Sequence, residues 1–230
     1  MKMPSPKTYE RQLAFMPYKK SLEKIAEIVC AQAPKDGSVL DLMCGPGYLL
    51  EIIKERRNDL FFHGVDNDAN YIIYASQKHP RIVFEFGDVL TWKPKRLHDV
   101  VRCTGALHHI PYERQEEVIK GMSRTVIPDG LAIVSDCYID DYRNETERMI
   151  AAAKLGYKYL IETIRNGAPK DVVRATTEIL MRDVMLDGEF KTSIDKQGPL
   201  LCKYFKKIER IKTWPDFTSD FGDYIHILKN

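Results

Sequence analysis

The residues most able to do chemistry stand in the first half of the chain, at the ends of short apolar runs. The stretch VLDLMCGPGYLLE (39–51) closes an apolar run in Asp41, passes through Met43, Cys44, Gly45, Pro46 and Gly47, and resumes with a helical pattern. Gly45 and Gly47 remove side chains where a ligand must approach the backbone, and the helix behind them aims its free N–H groups at that ligand. A pyrophosphate loop asks for G-x-G-x-x-G, whereas the positions from 43 read Met-Cys-Gly-Pro-Gly-Tyr, so a dinucleotide is disfavoured. A carboxylate at Asp41 facing the loop repels phosphate and attracts a cation, which suits a cofactor carrying a sulfonium or ammonium. Asp66, at the end of the next apolar run and followed by Asn67, can accept hydrogen bonds from two ribose hydroxyls. Asp88 can accept from an exocyclic adenine amine while Val89 packs on the ring. Together these residues describe an adenosine held without phosphates.

The elements that must position them follow from periodicity. SVLDL (38–42), FFHGVD (61–66), RIVFEF (81–86), DVVRCT (99–104) and LAIVSDC (131–137) read as buried strands of a parallel sheet. Helical patterns separate them: YLLEIIKERR after the first, DANYIIYASQKH after the second, PYERQEEVIKGMSRTV after the fourth. Asp68 is the helix cap after the second strand, leaving Asp66 for the ribose. Alternation of this kind predicts an α/β fold, a doubly wound Rossmann-like seven-stranded and mostly parallel sheet. One helix is expected over 8–33, and after residue 140 two long helical patterns replace the alternation. KKIERIKTW and DYIHILKN at the end predict an antiparallel C-terminal hairpin at one sheet edge. The expected organisation is a single domain over 1–230, with an N-terminal helical lid (1–36), a cofactor-binding core (37–137), a helical cap insertion (138–190), and a last helix with the closing strand pair (191–230).

The motifs VLDLMCGPG, GVDND, FGDVL, DVVRCTGALHHIP and IPDGLAIVSD stand in order at the spacings of a known family. From about residue 37 to 137 the chain resembles a class I S-adenosylmethionine (SAM)-dependent methyltransferase of the small-molecule type. The resemblance implies SAM as cofactor, methyl transfer as the activity, and Cys103, Thr104 and His109 beside the cofactor. The departure is Met43, where the family usually has the first glycine of D-x-G-x-G-x-G. ALHHIP (106–111) falls where donor and acceptor meet, so His109 and His108 are the candidate proton acceptors. Aromatic and cationic residues in and before the cap, Tyr18, Tyr138, Tyr142 and Arg143, are the candidate acceptor contacts.

Composition narrows the class of function. Lys plus Arg number 35 against 33 Asp plus Glu, with both signs interspersed, so no bulk footprint for nucleic acid or anionic membrane is present. The opening residues lack the apolar core of a signal peptide, and no run approaches a membrane span, so a cytoplasmic protein is expected. Five widely spaced cysteines argue against a disulfide framework, and no resident metal is expected. A magnesium site at Asp136, Asp140 and Asp141, and a soft-metal site from Cys44, Cys103 and Cys137 with the histidines, are the alternatives weighed. The partner is a small-molecule acceptor and the chain a monomer or homodimer. Three other readings stay open: a macromolecule methyltransferase, a protein using another group of the cofactor, and a non-catalytic SAM binder.

Overall fold

The computed structural model describes residues 5–230. The apolar runs become β1 (Ser38–Leu42), β2 (Phe61–Asp66), β3 (Val83–Phe86), β4 (His98–Thr104) and β5 (Val126–Tyr138), followed by β6 (Lys207–Trp214) and β7 (Gly222–Lys229). They form one seven-stranded sheet in the order β3-β2-β1-β4-β5-β7-β6. Only β7 runs against the rest, inserted between β5 and β6. Strand order reverses between β1 and β4, which places the ligand crevice at their carboxyl ends. Asp41 and Arg102 face each other there in register, as do Leu42 and Cys103.

Neighbouring strand residues enter opposite cores, as a period of two requires. Val39 and Ile133 join Ile25, Val29, Leu50 and Ile53 on one face. Leu40 and Ala132 join Val118, Ile119 and Met122 on the other. The strand over 83–86, expected to be buried, lies at the sheet edge with Val83 and Phe86 exposed. No helix crosses between β3 and β4, so its outer edge is uncovered.

The helices are α1 (Pro6–Leu13), α2 (Lys19–Gln32), α3 (Tyr48–Arg56), α4 (Ala69–Lys78), α5 (Tyr112–Thr125), α6 (Glu145–Arg165), α7 (Lys170–Met185) and α8 (Ile194–Cys202). The single helix expected over 8–33 is therefore two. Pro17 lacks an N–H and disfavours helical geometry at Met16, so the chain turns between α1 and α2. Ser5 caps α1 by accepting from Thr8 N at 3.2 Å. Polar links hold α1 to its neighbours: Glu10 to Tyr74 and Lys78 on α4, and Arg11 to Asp171 on α7. The α6–α7 pair packs much more closely. A Cβ placed on Gly156 of α6 would come 2.4 Å from Leu180 of α7.

Candidate functional site

Three residues of the loop between β1 and α3 adopt left-handed backbone: Met43 (φ 58°), Gly45 (φ 54°) and Gly47 (φ 81°). That conformation costs an L-residue about 1–2 kcal/mol and glycine almost nothing. Met43 therefore carries a strain that a glycine would not, and its side chain packs against the core cluster containing Leu42 and Val65. The loop is fixed by Cys44 N donating to Val65 O at 3.0 Å and Gly45 N donating to Asp66 Oδ2 at 2.8 Å. A Cβ on Gly45 would meet nothing nearer than Tyr71 at 3.9 Å, so the space above the loop is open. On Gly47 it would run into Phe84 at 2.6 Å. Cys44 lies under the loop, its sulfur filling the room that Gly64 leaves.

Asp68 caps α4, accepting from Asn70 N at 2.8 Å. Asp66 is spared that task but has another, accepting from both Gly45 N and Asp68 N at 2.8 Å. A carboxylate offers about four acceptor sites, so two remain for hydroxyls. Burial raises the Asp66 carboxyl, and the backbone N–H groups of Asp68 and Gly45 pull it back. Asp88 is exposed and accepts from Leu90 N at 2.9 Å, with Val89 half-buried beside it and Asn67 exposed after Asp66. The open space above Gly45 and the spare acceptor sites of Asp66 fit an adenosine ligand.

Asp41 is buried, and its cation belongs to the chain: Arg102 Nη2 lies 2.6 Å from Asp41 Oδ2. Arg102 is fully buried and also donates to Thr104 Oγ1 at 3.1 Å. Burial pushes the Asp41 carboxyl up to about 7, with Arg102 pulling against it. Cys103, expected beside the cofactor, instead points into the second core with no exposed surface. Its neighbours Arg102 and Thr104 take the other face, by the alternation of the strand.

Beyond β4, Gly105 (φ 62°) sits under the ring of Tyr18, whose hydroxyl donates to Ser135 O at 3.0 Å. A short 3-10 turn, Leu107–His109, then presents both histidines. His108 N donates to Asp136 Oδ2 at 3.0 Å and its Nδ1 pairs with Asp136 Oδ1. On the ring's other side, Nε2 lies 3.2 Å from Glu189 Oε2. Glu189 also receives Lys191 Nζ at 2.8 Å, and Lys191 in turn pairs with Asp183. His109 Nδ1 lies 3.6 Å from Glu189 Oε1 and 3.3 Å from Gly188 O. Burial opposes charge on His108, but the carboxylates of Asp136 and Glu189 together outweigh it and raise the imidazole to about 9. Burial and the neighbouring His108 push His109 down to about 4. One imidazole is thus held charged and the other neutral.

These groups form the polar wall of a cavity of about 210 Å³. Leu13, Met16, Leu155, Ile179 and Leu180 supply apolar walls, Tyr9, Tyr18, Tyr159 and Cys137 also face it, and Gln12, Thr176, Glu178 and Arg182 add polar groups away from the histidines. Among the expected acceptor contacts, only Tyr18 lines it. Tyr138 follows Cys137 on β5 and so points to the opposite face, where its hydroxyl bonds Gln197 and its ring meets Tyr224. Tyr142 lies under Lys196, and Arg143 is exposed and paired with Glu147, because the segment 139–144 leaves the sheet away from the cavity. The acids weighed for magnesium diverge: Asp136 holds His108, Asp140 pairs with Lys154, and Asp141 accepts from Ser193. Arg102, Asp183, Glu189 and Lys191 were not anticipated from the sequence. A signal existed only for Arg102, a lone charge inside an apolar strand, which demands a buried partner.

Residues 39–130 match a family described as a methyltransferase domain. Trans-aconitate 2-methyltransferase of Variovorax paradoxus (strain S110) is 29% identical over 121 residues, covering 52% of this chain and 45% of that protein. A dTDP-3-amino-3,6-dideoxy-alpha-D-glucopyranose N,N-dimethyltransferase of Streptomyces fradiae is 23% identical over 137 residues, 59% of this chain and 52% of that one. The chain thus spans about half the length of these curated relatives. Among solved structures, magnesium protoporphyrin IX methyltransferase from Synechocystis PCC 6803 with bound SAH superposes with a TM-score of 0.61 at 15% identity, covering 93% of this chain and 84% of that one. That likeness shows a shared Rossmann-like fold. No helix among the described residues is long and apolar enough to cross a membrane.

Proposed function

We propose that this chain, whose residues 39–130 form a domain of the class I SAM-dependent methyltransferases, transfers the cofactor's methyl group to a small-molecule acceptor in the cytoplasm. The observation that carries this reading is the cavity between the strand ends and α6–α7, lined by apolar and aromatic side chains with a cluster of polar groups at the histidines. In this reading residues 1–36 act as a lid, 37–137 as the cofactor core, 138–190 as the cap and 191–230 as the closing unit. The loop of Met43, Cys44, Gly45 and Gly47, with Asp41 beneath it, holds the methionyl part. Asp66 and Asn67 hold the ribose, and Asp88 with Val89 the adenine. Thr104 and His109 border the reaction centre.

SAM, when bound, supplies a methyl group on a sulfonium that needs little further activation. The chain's task is to align the acceptor and exclude water. Leu13, Met16, Tyr9 and Tyr18 close the cavity over the strand ends. Where the acceptor atom carries a proton, the neutral imidazole of His109 accepts it, while His108, bound on both sides by carboxylates, stays in place. In the polar wall Asp183 and Glu189 face Lys191, His108 is paired with Asp136 behind it, and Arg182 lines the same cavity, so the lining carries charge of both signs.

The test combines an acceptor panel with a cavity-filling variant. Amines, phenols and carboxylic acids, trans-aconitate among them, are assayed as acceptors of labelled methyl from SAM, with S-adenosylhomocysteine expected as coproduct. Ile179→Trp is expected to abolish turnover while leaving SAM affinity within about two-fold of wild type. Undiminished turnover in that variant would remove the cavity from the mechanism, and methylthioadenosine as coproduct would replace methyl transfer by another use of the cofactor.

A further inference from the structure

We propose that the polar wall of the cavity is a binding site for one divalent transition-metal ion, ligated by His108 Nε2, a ring nitrogen of His109 and a carboxylate oxygen of Glu189. The ligand atoms of these three residues all lie within 4.8 Å of one another. His108 Nε2 and Glu189 Oε2 are 3.2 Å apart. Two ligands at about 2.0–2.1 Å from a tetrahedral zinc stand roughly 3.3 Å apart, so this pair already has the spacing of a loaded site. The donor set of two imidazoles and one carboxylate suits zinc, iron(II), cobalt or nickel and is too nitrogen-rich for calcium or magnesium.

Two further observations point to an ion. The first is the support behind His108. Its Nδ1 side is taken by Asp136, which also accepts from the same residue's backbone N–H at 3.0 Å. A carboxylate behind an imidazole keeps a proton on Nδ1 and turns Nε2 forward, so that an ion displacing the Nε2 proton meets a lone pair aimed at it, which is how metal-bound histidines are usually oriented. The second is the charge of the wall. Asp136, Asp183 and Glu189 are buried around one ammonium, that of Lys191, so once an ion displaces the His108 proton the cluster carries two negative charges in excess. A divalent cation supplies both charges, and buried carboxylates require compensation. Lys191 Nζ donates to the same Oε2 at 2.8 Å, and a carboxylate oxygen with two lone pairs can hold that bond and an ion together, while Oε1, 3.6 Å from His109 Nδ1, carries no ammonium. All three ligands line the cavity, which leaves the remaining coordination positions open to it, the arrangement of a catalytic rather than a structural site.

This site does not depend on methyl transfer and is tested without cofactor or acceptor. Cofactor-free protein is stripped with a chelator, dialysed, and titrated with Zn²⁺ by calorimetry and with Co²⁺ by visible absorption. One ion per chain is expected, with the d–d bands of four- or five-coordinate cobalt. Glu189→Gln and His109→Ala are expected to weaken binding at least 100-fold, and Asp136→Asn, behind the ligand, about 10–100-fold. Circular dichroism and urea unfolding in chelator establish that each variant folds, and His109→Ala, which removes a half-buried ring, serves if the carboxylate variants do not. Substoichiometric binding by the wild type, or equal binding by wild type and His109→Ala, would overturn the assignment. SAM affinity measured on the stripped protein separates its failure from failure of the methyltransferase reading. Proton acceptance and metal ligation use the same lone pair of His109, and the titration decides between them.

Discussion

Asp66 performs two tasks that a single variant would confuse, and separating them tests the cofactor assignment. Without ligand, its carboxylate accepts two hydrogen bonds from backbone N–H groups, each at 2.8 Å, and so ties the glycine loop and the start of α4 to the end of β2. Hydrogen bonds to a charged group contribute about 1.5–3 kcal/mol each, and partial access of water to the freed donors places Asp66→Ala at about 2–4 kcal/mol of lost stability. For a domain of this size that corresponds to a fall in Tm of about 4–16 °C. Asp66→Asn keeps one acceptor oxygen and is expected to lose about half as much. Loss of the ribose contact is a separate quantity, about 100-fold or more in affinity if two hydroxyls donate to this carboxylate. The assay is a double-mutant cycle by calorimetry: wild type and Asp66→Asn, each titrated with S-adenosylhomocysteine and its 2′,3′-dideoxy analogue. Wild type should discriminate strongly between the two ligands and the variant only weakly. If both proteins discriminate equally, Asp66 shapes the loop without touching ribose, and the reasoning from the second strand fails.

Two further outcomes follow from buried charge. Arg102→Met leaves Asp41 without its cation and is expected to cost about 3–5 kcal/mol in urea unfolding, while Arg102→Met combined with Asp41→Leu recovers most of it; a loss below 1 kcal/mol in the single variant would contradict the pairing. His108 is raised from 6.5 to about 9 in the folded chain, so its stabilising contribution is complete below pH 6.5 and lost as pH rises through about 9. In chelator, stability should therefore fall by an amount on the order of 3 kcal/mol between pH 6 and pH 9.5, and His108→Gln should flatten that slope. An unchanged slope in the variant would place the titration elsewhere.

The central strands and their order of appearance were legible because they are short apolar runs bounded by turn residues, and the closing pair because two β-rich runs flank a turn segment. SVLDL and FFHGVD match β1 and β2 residue for residue. The glycine loop and Asp68 cap were legible for the same reason, being local. Arg102 could not be paired with Asp41 from spacing alone, since 61 residues separate them and only the parallel register aligns them. Glu189 and Lys191 carry no motif, and the packing of α6 and α7 brings them under the histidines. Tyr138 is a different case. Strand alternation allows only one of Cys137 and Tyr138 to face the cavity, and the packing of the sheet, which the sequence does not show, gives that place to Cys137.

The contact between Gly156 and Leu180 divides the cavity walls into two mechanical kinds. On one side α6 and α7 meet with no slack, and widening that side would mean separating two packed helices. On the other, α1 is a helix of eight residues tethered by Glu10 and Arg11 through surface contacts. Of these, the exposed Arg11–Asp171 pair contributes little. The cavity is therefore bounded on one side by two helices in close contact and on the other by a short helix that buries Gln12 and Leu13 and is tied on its outer face by polar links.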